Sequence, residues 1–379
     1  MYDLIIVGGG PSGSAAGRLA GTMGLETLLI EKETFPRYKA CGGALSEHAM
    51  SYLDIDIPDH IQERDIYGAK FLYKDMMIEG YKDHRLSTLV TRSVLDNYLL
   101  EMARKTGIEI HTNEKVTDLT VLDDCVEVQT CNSTYRSKFV VIAEGSQGTL
   151  KNKVRQKDRK DEYAICVVTE VEESNDTIGE RLSNVIELHF EGIGQGYGWI
   201  FPHRGYYSVG IGGVVEYVHS PKTVMLDFLK RNGFQGDYKL HGHTIPSGGI
   251  DRDLVGSRIV LSGDSAGFVD TFTGEGLAYA IRSGQIAVEV ISEILSSDQH
   301  AGSLSRYSSI CQSEFGEHLR YSRLFSKIMY TYPDLAFRIF IGQEEIFDKF
   351  LDVVAFKITY KDLLKWLLFN FRLRWLRKQ

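Results

Sequence analysis

Proline is scarce, with 7 residues in 379, whereas glycine is frequent at 37. The chain therefore turns on flexible positions and is neither proline-stiffened nor collagen-like. The five cysteines, Cys41, Cys125, Cys131, Cys166 and Cys311, are odd in number and include no Cys-x-x-Cys pair. That excludes a disulfide scaffold and makes free thiols in a reducing cytosol the expectation. No run reaches the ~18 apolar residues of a membrane-spanning helix. The N-terminus enters a strand pattern directly, so no signal peptide is expected. Basic residues are outnumbered, 43 Lys+Arg against 51 Asp+Glu for a net charge of −8, which argues against a nucleic-acid binder. His241-x-His243 has no third ligand that the sequence can name, so no metal site is expected. What is present is 43% hydrophobic residues in a length suited to two domains and a helical appendix.

The first motif is local. Asp3 to Val7 (DLIIV) has the length of a buried strand and runs into Gly8-Gly9-Gly10-Pro11-Ser12-Gly13. Small residues continue to Gly21, Gly24 marks a helix end, and Thr27 to Ile30 forms a second strand closed by Glu31-Lys32. This is strand, G-x-G-x-x-G, helix, strand, acid. Gly8 permits the tight turn, Gly10 lets a pyrophosphate approach the backbone, and Gly13 lets the helix lie close to the sheet. Ser12 stands at the helix N-terminus, whose free N–H groups and positive dipole end suit phosphates. Glu31 follows Gly13 by 18 residues, close to the spacing of a carboxylate that holds ribose hydroxyls. This fingerprint alone does not separate NAD from FAD.

Further along, Thr34 to Leu45 reads as a loop and Ser46 to Leu53 as a short helix. Arg92 to Thr106 reads as an amphipathic helix with Val94, Leu95, Tyr98, Leu99 and Met102 on one face. Val116 to Leu122 and Cys125 to Thr130 flank Asp123-Asp124 as a hairpin, and Phe139 to Ala143 is another buried strand. From 160 to 248 the texture changes to strands at Tyr163–Val171, Val185–Phe190, Tyr197–Phe201 and Tyr206–Val215, an antiparallel sheet. Arg258–Leu261 returns to the buried-strand type, Leu277–Leu295 is a small-residue helix, and the chain is helical from about 303. The expected fold is α/β, in a mixed α+β form. A Rossmann-like nucleotide-binding domain (1–60, 86–155 and 250–300) accompanies an inserted antiparallel-sheet substrate domain (61–85 and 156–249) and a C-terminal helical region (301–379).

The second motif favours FAD. A buried strand ends in Gly263-Asp264, and Gly274-Glu275-Gly276 precedes a helix. Asp264 suits ribityl hydroxyls, and the helix start at Gly276-Leu277 suits the C2 carbonyl of a flavin, where it would stabilise an anionic reduced ring. Tyr197, Trp199 and Phe201 alternate, so on a strand they share one face, either as ordinary sheet core or as a pocket lining. Arg92 opens a helix, where its charge opposes the dipole and calls for a partner: a cofactor phosphate, a ribityl group or a salt bridge. Cys41 lies beside two glycines: apolar burial would keep it a thiol, the nearby Arg37 and Lys39 favour thiolate, and a small packing residue is the competing reading.

With these segments the chain resembles the geranylgeranyl reductase family, within the p-hydroxybenzoate-hydroxylase-like superfamily of FAD enzymes. The matching pieces are GGGPSG with Glu31, RYKACGG at 37–43, Arg92, I-A-E-G at 142–145, Y-G-W-I-F-P at 197–202 and SGDSAGFVDTFTGEGLAYAI at 262–281. The resemblance implies that FAD is lined by Gly13, Glu31, Cys41, Gly42, Arg92, Val116 (by its backbone), Asp264, Gly276 and Leu277. It implies a prenyl substrate, either a polyprenyl lipid or a prenyl diphosphate, over Tyr197, Trp199 and Phe201. It also implies reduction of its C=C bonds by a hydride from reduced FAD and a proton, for which Cys41, a tyrosine or a held water are the candidate donors. Cys41, Tyr197 and Trp199 are the candidate catalytic groups: Cys41 for positioning or protonation, the two aromatics to shelter positive charge. Two departures stand out: Glu144 where the superfamily often has Asp, and Thr271 where it often has Pro.

A flavin monooxygenase of the same fold and a non-catalytic prenyl-binding module are the competing readings. Only one dinucleotide fingerprint is present, so electrons are expected from an external donor: NAD(P)H, a ferredoxin or another reduced carrier. The segment 357–379 carries seven Lys/Arg against Asp362, a charge of +6 that leaves −14 elsewhere, and holds two of the three tryptophans. It is expected either to pack on the protein or to dock a cytoplasmic protein peripherally on the inner face of a membrane.

Overall fold

Leu4, Ile5, Ile6 and Val7 are buried in succession, so Tyr2–Val7 is a strand covered on both faces and sits inside a parallel sheet. The computed structural model describes residues 1–296 and 303–376, with side chains in the last helix described through Asn370. Thr27–Ile30 and Thr134–Ile142 flank the first strand in parallel, and Glu109–His111 and Ile259–Leu261 extend the sheet on either side. Val126–Thr130 and Val116–Val121 add an antiparallel hairpin. The helices Pro11–Thr22, Arg92–Arg104 and Leu277–Ser296 stack together beside this sheet.

The face of the helix Arg92–Arg104 differs from the expected one. Val94 is 42% exposed, and the buried positions are Leu95, Leu99, Leu100 and Ala103 together with Arg92 and Asp96. The apolar pattern misled because two charged residues belong to the inward face, where they neutralise each other.

A second sheet runs in the order His241–Pro246, Tyr163–Glu172, Tyr206–Val214, Gly196–Pro202, Val185–His189, Gly68–Tyr73, Met76–Tyr81. Its pairs are antiparallel except Val185–His189 with Gly68–Tyr73, which run parallel, a departure from the expected purely antiparallel sheet. These two strands are more than a hundred residues apart in sequence, so no hairpin fixes their direction. Ala44–Ser46, Ser87–Leu89 and Arg64–Ile66 form a small third sheet that the sequence reading did not anticipate.

Beyond residue 303 the chain is helical: Ser305–Cys311, a π-turn over Gln312–Gly316, then Glu317–Thr331, Pro333–Ile341, Glu344–Val354 and Tyr360–Leu376. These helices cover the strands Gly68–Tyr73 and Met76–Tyr81, and bury Phe325, Phe337, Phe340, Phe347 and Phe350 against Phe71, Phe190 and Phe272. The start of the last helix belongs to this core. Tyr360 and Leu363 are fully buried and Leu364, Trp366 and Leu367 pack beside them, while Leu368 and Phe369 are 73% and 62% exposed. The side chains from 371 onward, among them four of the basic residues expected at a membrane, lie outside the described residues. Among the described residues no helix is long and apolar enough to cross a membrane.

Candidate functional site

One cavity of about 810 Å³ runs between the two sheets, within the usual size range of ligand pockets. At one end lies the glycine turn. Gly8 has φ +107°, which disfavours any residue with a side chain, and a Cβ on Gly13 would lie 1.8 Å from the Gly8 carbonyl oxygen. Gly10 is different: a Cβ there meets only Arg37 Nη2, at 3.6 Å, and otherwise points into the cavity. Ser12, at the helix N-terminus, lines the same end and shares a hydroxyl contact with Ser262. Glu31 accepts hydrogen bonds from the Gly9 N–H at 2.6 Å and the Glu33 N–H at 2.8 Å, so it braces the turn as well as lining the cavity. Each carboxylate oxygen keeps further acceptor capacity toward a ligand hydroxyl. Lys32 stands exposed at the rim, and Val116 closes the side wall.

Charge is concentrated in the middle of the cavity. Arg92 forms two bonds to the fully buried Asp96, at 2.8 and 3.0 Å, and Arg37 reaches the same carboxylate at 3.1 Å. The partner that Arg92 required is therefore a carboxylate on its own helix. Burial opposes the Arg92 charge, but Asp96 and the neighbouring Cys41 outweigh it and hold the guanidinium protonated. Cys41 accepts from the Gly43 N–H at 3.4 Å and opens on the cavity with Gly42. Lys39 contacts His243 Nε2; burial pushes Lys39 down, and burial with the nearby cations pushes His243 down to about 3, so this imidazole is neutral. Asp264, Gly274, Gly276 and Leu277 line the facing wall.

The far end is aromatic. Trp199 donates from Nε1 to Ser208 Oγ at 3.3 Å and lies flat over Gly210, where a Cβ would be 2.2 Å from the ring. Phe201 covers Gly42 in the same way. Tyr197 donates its hydroxyl to the Thr273 carbonyl, and burial pushes that hydroxyl well above its usual range, so it stays neutral. Phe71, Phe190, Phe272 and Phe350 complete the wall.

The two departures from the superfamily pattern now have local explanations. Thr271 donates its N–H to Ser322 Oγ at 2.9 Å, a bond proline cannot make, while Asp270 accepts from the N–H groups of Phe272 and Thr273. Glu144 turns back onto the 148–151 turn, where it accepts from the Lys151 N–H at 3.2 Å, and burial raises its pKa.

The cavity thus gathers Gly8, Gly10, Ser12, Glu31, Lys32, Cys41, Gly42, Arg92, Val116, Asp264, Gly274, Gly276 and Leu277 with Tyr197, Trp199 and Phe201. Gly13 and Gly263 do not line it; they are close-packing positions behind it. Sequence reasoning missed Asp96, His243 as a partner of Lys39, Phe350 from the C-terminal helices, and Glu275. Glu275 Oε1 accepts from Ser46 Oγ at 3.1 Å and from the Ala278 N–H at 3.0 Å, and burial raises its pKa to about 7. Its place in the Gly-Glu-Gly turn was the available clue.

The donor set fits FAD. Arg37 Nη1 is buried beside the Gly10 opening without a partner among the described residues, as a site awaiting an anion would leave it. Residues 3–145 match the model of the FAD dependent oxidoreductase family, and the fold and cradle define this chain as an FAD-dependent oxidoreductase. Among its relatives is an uncharacterized protein of Methanosarcina barkeri, 31% identical over 301 residues (78% of this chain, 76% of the relative). A digeranylgeranylglycerophospholipid reductase of Methanococcus vannielii is 28% identical over 335 residues (81% of each). A geranylgeranyl diphosphate reductase of Rhodobacter capsulatus is 28% identical over 313 residues (79% and 77%). A solved geranylgeranyl bacteriochlorophyll reductase-like protein from Thermoplasma acidophilum superposes with a TM-score of 0.78 at 20% identity, covering 96% of this chain and 95% of that one. A flavin-dependent brominase superposes at 0.74 with 20% identity over the whole of both chains; identities this low establish the fold alone. The chain belongs to the geranylgeranyl reductase family.

Proposed function

We propose that this protein saturates C=C bonds of geranylgeranyl chains carried by a membrane lipid or a prenyl diphosphate. The observation that carries this reading is the continuity of one cavity from the nucleotide cradle into a wall of Phe71, Phe190, Tyr197, Trp199, Phe272 and Phe350. An extended apolar chain finds dispersion contacts along that wall and water is displaced from it. FAD, when bound, supplies the two-electron reducing chemistry.

The chain's own residues do the rest. Gly10, Ser12, Glu31 and Arg37 hold the nucleotide end. Asp264 and the start of the helix at Leu277 face the middle of the cavity, where a helix N-terminus stabilises negative charge. Trp199 and Tyr197 present ring faces that favour developing positive charge on a substituted alkene carbon. Electrons come from an external carrier, NAD(P)H, a ferredoxin or another reduced donor, and the C-terminal helix brings the protein to the inner face of a membrane. The test is anaerobic incubation of dithionite-reduced protein with geranylgeranyl lipid and with geranylgeranyl diphosphate, read by mass spectrometry. Products heavier by pairs of hydrogens are expected. An oxygenated product formed only with O2 would instead identify a monooxygenase.

A further inference from the structure

Saturating an alkene puts a hydride on one carbon and a proton on its neighbour, and the second of these needs a group that holds a proton inside the cavity. We propose that Glu275 is that group and that its free carboxyl oxygen, at the junction of the nucleotide end and the aromatic end, delivers the proton. The proposal rests on the reductase reading above.

Several other titratable groups in the cavity are tied or in the wrong state, and Glu144, whose pKa burial also raises, is turned back onto the 148–151 turn. Arg37 and Arg92 are locked on Asp96. His243 is neutral and turned to Lys39. The hydroxyl of Tyr197 is given to the Thr273 carbonyl and that of Tyr360 to Asp270 at 3.3 Å. Asp270 is held below the usual carboxylate range by His318 and two backbone N–H groups, against the opposing effect of its burial, so it is ionised.

Glu275 differs in geometry. Oε1 takes both the Ser46 hydroxyl and the Ala278 N–H, which fixes the side chain at the start of the helix Leu277–Ser296. Both hydrogen bonds of the Glu275 carboxyl fall on Oε1, and the half-buried residue lines the cavity, which leaves Oε2 for a ligand there. The groups that face it are Asp270 on the preceding turn, Arg92 on the neighbouring helix, Ser46 beneath it, and the tyrosines 197 and 279. Burial and Asp270 favour the protonated carboxyl; the two hydrogen bonds and Arg92 oppose them, and the balance lies near neutrality, where an acid catalyst is most effective.

In the step, the π bond breaks. One carbon gains hydride from the reduced cofactor, which is left oxidised, and the other gains the proton from Glu275 as its O–H bond breaks. The carboxylate recovers a proton from water before the next turnover.

The test is Glu275→Gln, which keeps an oxygen for Ser46 and Ala278. The variant should bind FAD and accept electrons from dithionite as the wild type does, and its single-turnover reduction of a geranylgeranyl chain should be at least about a hundredfold slower. The wild-type rate should be level below pH about 7 and fall tenfold per unit above it; E275Q should lack that limb, and Glu275→Asp should restore it at a lower rate. Without substrate, the infrared band of a protonated carboxyl should fade as pH rises through about 7 in the wild type and be missing from E275Q. A variant as fast as the wild type with the same limb overturns the proposal, as does loss of FAD in both E275Q and E275D, which would mark Glu275 as a helix cap. Failure of the wild type itself to reduce prenyl chains would overturn the reductase reading, and leaves the infrared result to stand on its own.

Discussion

At the scale of single residues, the three glycines of the cradle separate into three physical demands. Gly8 is required by its backbone angle and Gly13 by contact with the Gly8 carbonyl, so substitution at either disturbs the fold. Gly10 is free of protein contact except Arg37 and faces the cavity. Gly10→Val should therefore leave the protein folded and strip most of its flavin, measured as FAD released on denaturation per mole of protein. Normal flavin content in that variant would place the phosphates elsewhere. Trp199→Ala removes part of the aromatic wall while the cradle is untouched. Loss of its contacts costs on the order of 1–3 kcal/mol in substrate binding or orientation. Turnover should drop far more than FAD content; an equal drop in both would make Trp199 a core residue of the sheet.

These residues were legible in the sequence because their roles are local. A tight turn, a helix start and a carboxylate at fixed spacing are written within thirty positions, and the alternation of Tyr197, Trp199 and Phe201 shows their shared face directly. Asp96 and Glu275 were not legible. An acid in a helix or a loop reads as a solvated residue until the fold shows that Arg92 and Arg37 converge on one carboxylate, or that Glu275 lines the cavity with one oxygen held by Ser46 and Ala278.

At the scale of elements, the helix Arg92–Arg104 is held to the cavity by charge as much as by apolar packing. Asp96 is the common anchor of two guanidiniums, and removing one partner of a buried pair is more costly than never having it. Asp96→Ala should lower the unfolding free energy by about 3 kcal/mol or more, measured by denaturant titration, and weaken FAD retention with it. A change below ~1 kcal/mol would show that Arg92 and Arg37 are satisfied by other groups. The last helix has two halves. A truncation at Tyr360 would remove the buried Leu363 and open the aromatic core, so the informative form ends at Asn370. That form should keep its fold and flavin but lose flotation with anionic vesicles at low salt, since each basic residue near such a surface contributes about 1 kcal/mol. Equal flotation of both forms would remove the C-terminus as the membrane contact. The aromatic lining from these helices was not readable beforehand. Phe350 and Phe272 are more than seventy residues apart, and nothing in either segment announces that they share a wall.

At the scale of the whole molecule, two sheets of different kinds enclose one cavity. The parallel sheet supplies glycine turns and a helix N-terminus for the nucleotide, and the second sheet supplies a flat aromatic floor. The C-terminal helices close the far end with Phe350 and Tyr360. The central claim is that this enclosure brings an isolated prenyl double bond to the reduced cofactor. The most direct measurement is strictly anaerobic rapid mixing of the dithionite-reduced, FAD-loaded protein, freed of excess dithionite, with a geranylgeranyl lipid or with its fully saturated counterpart. The account predicts return of the oxidised-flavin absorbance with the unsaturated chain only, one reduced double bond for each flavin oxidised. Re-oxidation by the saturated chain, or none by either chain or by geranylgeranyl diphosphate, would contradict it.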